Sequence, residues 1–539
     1  MSKRKRIILI ITSVIVLTLI IVSLYANTFL ENKVKNLLQT KIPDHIESNY
    51  KDIKIHSFRG SIGITEPSVI IKDKETGIIT SIIKLDYLEI KNISYLDFYF
   101  NKEISLSEVL LDGLDITYFK DGVKKEKGKD STKQNNFKNP ISIKAFRIEN
   151  ASVKVIDTSK DSLLFSSTNV NFTLKKLKID STFSIKTFKD NYKSLKISAD
   201  SIFLKSGLYE NLTIGYFEHK DNSISITDLS LKTKYSKKTF SKKISKERDY
   251  YTINTATIIL EELDYGFNED EFYLNSSLIN INKAVASIYR NKLVADDFKV
   301  KNLYSKSIRE LPIQLNVDSV SVKNSKVIYS ERTKNDRPAG VLTISKIDAS
   351  VSKLSNTYSS PNKTMILVDG VFMKNSTFHA NWSFDISNKN DEFEFIGDIG
   401  NISGNSLNVL LTPLINARLE GEIEHTLFHI KGNNSSSTIY MSQKYEHVKI
   451  EILNNKKKKN KFVSGIANVF VHHKSDKKGV AYNHITANAT RDNAKSFFNY
   501  LAKNLKSALL VSFFEKKNKK YIVEKEHINL EKYHSKKTN

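Results

Sequence analysis

The 539-residue chain has no cysteine, 7 prolines, 18 glycines and a single tryptophan. Without cysteine, neither a disulfide framework nor a thiolate metal site is possible. With so little glycine and proline, turns must come from Asn, Asp, Ser and Lys, and exposed strand edges must be guarded by lysine. Catalytic signatures are missing too: there is no G-x-S-x-G elbow, H-E-x-x-H motif, P-loop or G-x-G-x-x-G fingerprint. His472 and His473 adjoin in a strand-like run and would face opposite ways. His425 and His429 flank the alternating Thr426, Phe428 and Ile430, so helical proximity does not apply to them. The expectation is a non-enzyme with no metal and no cofactor.

What is present begins with charge. Lys and Arg number 84 against 59 Asp and Glu, a net +25. The abundance of Ile, Asn, Lys and Ser has the look of AT-rich coding, which by itself inflates lysine. A basic surface otherwise favours anionic lipid or nucleic acid, and the compartment argued next excludes nucleic acid. Residues 7–26, IILIITSVIVLTLIIVSLYA, are uncharged and long enough to span the hydrocarbon at about 1.5 Å per residue. Lys3, Arg4, Lys5 and Arg6 precede them and keep that end cytoplasmic, so the rest of the chain is expected outside the cytoplasm. Leu24 and Ala26 suit a signal-peptidase site poorly, which favours an uncleaved anchor. Residues 27–41 carry Phe29, Leu30, Val34, Leu37 and Leu38 at helical spacing and predict an amphipathic linker helix.

Residues 42–490 read as strand after strand, and three stretches within them repeat one another. Ile141, Ile143, Phe146, Ile148, Asn150, Val153 and Val155 share relative spacing with Leu315, Val317, Val320, Val322, Asn324, Val327 and Tyr329. Ile104, Leu106, Val109, Leu111, Gly113, Ile116 and Tyr118 form the third copy. Self-similarity of this kind marks an array of supersecondary units. Residues two apart share a strand face, and the change of phase between Ile143 and Phe146 predicts a β-bulge. The second change, at Asn150, Asn324 or Gly113, predicts a tight turn into a returning strand. Charged insertions fall at residues 120–139 and 232–249, and residues 456–461 read as a basic hairpin tip. Residues 491–514 break the β pattern with an amphipathic, lysine-bearing helix that either lies on a membrane or caps the last strands, and 515–539 is a basic tail. The fold class expected is mainly β: an elongated antiparallel array between an N-terminal transmembrane helix and a C-terminal amphipathic helix.

The anchor, the linker helix and the pattern I-x-I-x-x-F-x-I-x-N-x-x-V-x-V followed by Asp157 resemble the AsmA-like proteins of diderm bacteria. Ile53-Lys-Ile55-x-x-Phe58-Arg-Gly60-Ser-Ile62-x-Ile64 is similar to their opening strands, and Arg491 to Tyr500 to the end of some members. The resemblance covers the whole chain and rests on patterning. It implies an inner-membrane-tethered, U-shaped, taco-like sheet in the periplasm, with an apolar interior along which phospholipid acyl chains pass. It brings no catalytic residues, and the chain is shorter than the large bridging members. The groove residues expected are Ile104, Leu106, Val109, Leu111, Ile141, Ile143, Phe146, Ile148, Leu315, Val317, Val320 and Val322. Membrane contact is expected of Lys3, Arg4, Lys5, Arg6, Phe497, Phe498, Leu501 and Leu505. The alternative is an anchored scaffold that assists outer-membrane protein assembly through envelope-protein partners.

Overall fold

The protein is described by a computed structural model over residues 26–36, 42–120, 139–357, 363–453, 474–475 and 481–514. Most of the apolar run 7–26, residues Lys3 to Arg6, the basic tip at 456–461, His472 and His473, and the tail lie outside these residues. Among the described residues no helix is long and apolar enough to cross a membrane. The chain is mainly β, and the 26 strands among the described residues join in one sheet.

Helix α1 occupies residues 26–36, from the last residue of the apolar run into the predicted linker. The sheet opens with short strands in two files. One file holds β2 (Asp52–His56), β3 (Ser61–Thr65), β6 (Tyr87–Lys91) and β7 (Ile104–Asp112); the other holds β1 (Ile46–Asn49), β4 (Ser68–Lys72), β5 (Ile79–Lys84) and β8 (Asp115–Phe119). Helix α2 (Tyr95–Asn101) links β6 to β7. Both files meet the long strand β9 (Ile141–Asp157), which is followed antiparallel by β10 (Ser162–Ile179), β11 (Ser194–Leu204), β12 (Glu210–Lys220), β13 (Ser223–Thr233) and β14 (Asp249–Glu261). Helix α3 (Lys237–Lys243) sits in the second charged insertion. The hairpin β15 (Asp264–Asn268) and β16 (Glu271–Asn282) leads into β17 (Val285–Asn291), and helix α4 (Tyr304–Arg309) precedes β18 (Gln314–Arg332).

The last third runs β19 (Gly340–Ser355), β20 (Thr364–Phe372), β21 (Ser376–Phe384), β22 (Phe393–Ile399), the two-residue β23 (Ile402–Ser403), β24 (Ala417–Gly432), β25 (Ser436–Ile452) and β26 (Asn483–Thr490). Helices α5 (Gly404–Ile415) and α6 (Phe497–Phe514) pack on it. Their leucines and aromatics complete two apolar clusters, one around Phe428, Ile430, Ile439 and Met441, the other around Ile423, Tyr445 and Val448.

Two features depart from the sequence reading. The sheet is not wholly antiparallel: β7 and β8 run parallel to β9, and β16 and β17 run parallel to β18. Nor does the chain reverse at the repeat's second phase change. Asn150, Asn324 and Gly113 do hold positive φ, at 55°, 52° and 63°, but the strand continues through Asn150 and Asn324. One left-handed residue kinks a strand and flips its alternation, whereas a two-residue hairpin turn of the type I′ form needs two such residues in succession. The parallel neighbours break at the same level, between β7 and β8 and between β16 and β17, while β10 and β19 shift register there, so the ladder resumes beyond the kink.

A continuous apolar face as the candidate functional site

Register connects one apolar row across the whole sheet. From the first edge it runs Ile53, Ile64, Leu88, Leu111, Ile148, Phe172, Ile197, each paired with the next. It continues through His219, Ile224, Leu260, Ile279, Val320 and Val351. It ends in Ile366, Trp382, Phe395, Ile430, Ile439 and Ala487. Of these nineteen residues only His219 is polar. Because residues two apart share a face, a second row lies beside it: Phe217, Ile226, Ile258, Ile281, Val322, Ala349, Val368 and Ala380, ending at Phe428, Met441 and Ile485.

A polar seam bounds these rows. Glu66, Gly113, Asn150, Asn169, Ser201, Asp228, Lys283, Asn324 and Lys346 all hold positive φ between 49° and 63°. Hydrogen bonds stitch the seam from strand to strand. Asp86 N donates to Asp112 O at 3.0 Å, Gly113 N to Glu149 O at 3.0 Å, and Asn324 N to Asp348 Oδ1 at 2.9 Å. Beyond the seam the alternation resumes in the opposite phase, through Val155, Phe165, Leu204, Leu212, Leu231, Ile253, Ala286, Val327, Ile344 and Phe372. The flip keeps these residues on the face of the long row. Phe372 packs into the cluster under α5, and that cluster shares Leu509 with the one over Trp382 and Phe395.

All twelve residues expected to line a groove occur on these strands. Leu111, Ile148 and Val320 belong to the long row and Val322 to the second. Val109 and Phe146 pair in a flanking row with Ile90, Leu174 and Leu195. Leu106 pairs with Ile143 and Ile104 with Ile141, whereas Leu315 and Val317 pair with Leu274 and Ser276. Two copies of the sequence repeat are therefore parallel neighbours in register. The copy from Leu315 to Tyr329 has a fourth beside it that sequence reading missed: Leu274, Ser276, Ile279, Ile281, Lys283, Ala286 and Ile288 repeat its spacing position for position. The shared spacing was a signal, but Ser276 and Lys283 hide it from a search for apolar or Asn positions.

Cover is uneven along the face. At β24 and β25, Ile430, Ile439 and Met441 are fully buried beneath α6. From Ile64 to Ile279 the long row is half-buried, His219 excepted. Of the four aromatic and leucine residues expected at a bilayer, Phe497 and Leu501 are buried against the sheet and Leu505 packs there too, whereas Phe498 is exposed. The helix thus caps the last strands with the side read as membrane-facing. Phe497 stacks on Trp382, with ring centroids 4.4 Å apart and planes 10° from parallel.

A carboxylate holds this cap to the crossover between β17 and β18. Glu247 accepts from Lys292 Nζ at 2.6 Å and from Lys495 Nζ at 2.7 Å. Burial pushes its carboxyl up, but the two lysines outweigh burial and hold it below the ordinary carboxylate range. Lys301 N donates to Asn493 O at 2.8 Å alongside.

At the other side of the face, residues 180–193 fold Phe183, Phe188 and Tyr192 over Ile143, Leu174, Leu177 and Leu195. Ion pairs of Lys186 with Asp270 and Lys189 with Asp264 tie this segment to the β15–β16 hairpin. Beneath lies a pocket of about 950 Å³ floored by Ile143, Leu177, Leu195 and Leu263 and rimmed by lysines, among them Lys144, Lys175, Lys178 and Lys193. Apolar floor and basic rim match an amphiphile with an anionic head. His219 is buried, neither ring nitrogen has a hydrogen-bond partner, and burial pushes its imidazole down. Among the described residues no group of His, Asp and Glu could hold a metal ion. The chain matches no family model, and no curated protein matches it.

Proposed function

We propose that the chain is a membrane-anchored periplasmic protein whose sheet curls into a U-shaped trough that binds and conducts phospholipid for envelope maintenance. The observation that carries the reading is the long row, apolar at every position but His219. Eighteen register steps of about 4.8 Å extend it roughly 90 Å along the sheet. Acyl chains suit such a surface because they ask for apolar area and no directed hydrogen bonds. An apolar face this long that stays only half-buried marks a binding surface. Residues 7–26 anchor the trough, and conduction is passive: chains slide over a uniform surface while head groups stay wet at the lysine-rich rim. No acid, base or nucleophile is called for.

The test is site-specific photocrosslinking of the full chain in its membrane, with a benzophenone side chain at Ile226 on the apolar face or at Ser225 on the opposite face. Phospholipid adducts at Ile226 alone, lost when Val320→Asp places a charge in the long row, are expected. Adducts at neither position would remove the lipid reading and put the anchored scaffold for outer-membrane protein assembly in its place.

A further inference from the structure

Outside the trough, the largest concentration of exposed apolar side chains lies at the end of the sheet where the chain emerges from the apolar run. Helix α2 is seven residues long, capped by Ser94 and closed by Lys102 in the left-handed region. Its sequence, YLDFYFN, leaves Leu96 70 %, Tyr99 71 % and Phe100 73 % exposed, with Tyr95 and Phe98 also exposed. Nearby turn residue Phe58 is 65 % exposed. Monomeric soluble surfaces seldom gather bulky apolar groups this densely.

Hydrogen bonds fix where this corner sits. Asn27, one residue past the apolar run 7–26, accepts from Ser57 N at 2.6 Å through Oδ1. Tyr95 Oη donates to Ser57 O at 2.8 Å, and Ile93 N to Gly60 O at 2.8 Å. Gly60, at φ 56°, has no room for a Cβ, which would meet Ile93 O at 2.6 Å. The end of the apolar run, the turn at 57–60 and α2 are therefore one rigid corner. Phe29 on α1 is exposed beside it. Tyr and Phe are side chains suited to the head-group level of a bilayer. Exposed Arg59 and Lys102 supply charge complementary to anionic lipid.

From this we infer that α2 and Phe58 form a second membrane contact, an interfacial foot that inserts at the head-group level of the bilayer holding residues 7–26. The foot sets the angle at which the sheet leaves the membrane, which a single flexible tether does not. The inference rests on the anchor reading.

The cysteine-free chain permits a direct test. The full chain carrying Phe100→Cys or Leu96→Cys is labelled with an environment-sensitive fluorophore and reconstituted into phosphatidylethanolamine/phosphatidylglycerol vesicles. Ile185→Cys, on the segment between β10 and β11, is the control. Labels at Phe100 and Leu96 should brighten about twofold and be quenched by lipid spin-labelled at the head group, as for an interfacial aromatic; the label at Ile185 should do neither. Alkaline extraction separates the failures. Chain retained by the vesicles with α2 labels unquenched would overturn the foot and leave the anchor standing. Chain released from the vesicles would overturn both. A label that brightens without lipid quenching would mean a protein contact, and the foot would again be wrong.

Discussion

Asn150 Nδ2 donates to Asp112 Oδ1 at 2.9 Å, across the parallel joint where one copy of the repeat lies against another. Asn150 also holds φ 55°, and its backbone N donates to Asn171 Oδ1 at 3.1 Å. One residue thus kinks its own strand and binds both neighbours.

Replacing that residue separates the two roles. Asn150→Gly keeps the left-handed backbone and loses the side-chain bond, a cost of about 1 kcal/mol. Asn150→Val adds a left-handed β-branched residue, for about 1–2 kcal/mol more. Thermal unfolding of the two variants in detergent should rank wild type, Gly, Val; equal midpoints would remove the seam's structural role.

The cap over the last strands depends on Glu247. With Lys292 left uncompensated and Lys495 keeping only Asp296, Glu247→Gln should cost about 3 kcal/mol. Its carboxyl titrates lower folded than unfolded. The stability it supplies is therefore fully present above the unfolded value of about 4.3 and is lost as pH falls through the lower folded value. Hydrogen exchange of residues 491–501 should quicken in Glu247→Gln at neutral pH, and in wild type only in acid.

Phe497→Ala removes a buried ring stacked on the only tryptophan, at a cost of about 3–5 kcal/mol. Trp382 emission should shift to the red as α6 lifts. An unshifted spectrum would mean that the cap is held elsewhere.

His219 shares the pH direction of Glu247, but its replacement should stabilise the fold. Its imidazole is buried edge-on to Tyr265 with no hydrogen bond to another residue, and it titrates below its unfolded value of about 6.5. The stability tied to its neutral form is present above that value and lost as pH falls toward the folded one. Wild type should melt lower at pH 5.5 than at pH 7.5. His219→Leu should be more stable by about 1–3 kcal/mol and should lose that dependence.

Much of this was legible before folding. The spacing of Ile104 to Tyr118 against Ile141 to Val155 located a parallel joint, although it read as stacked hairpins. An isolated Asn or Gly is compatible both with a turn and with a kink inside a strand, and only the neighbours' breaks decide between them. The strand pattern of residues 42–490 was visible, but not its alignment into rows, because register is set between residues tens of positions apart. The helix at 497–514 was also visible, whereas its cover, Trp382 and Phe393, lies more than a hundred residues upstream. His219 gave no signal, since its burial comes from partners.

Most described strands pair with the one made just before them, so much of the sheet can assemble tier by tier as the chain is made, each new strand templated by the last exposed edge. The parallel joints interrupt that order. After β8, and again after β17, a whole crossover must emerge before β9 or β18 can dock. Each joint is thus a built-in pause in vectorial folding, with an open edge waiting in the interval.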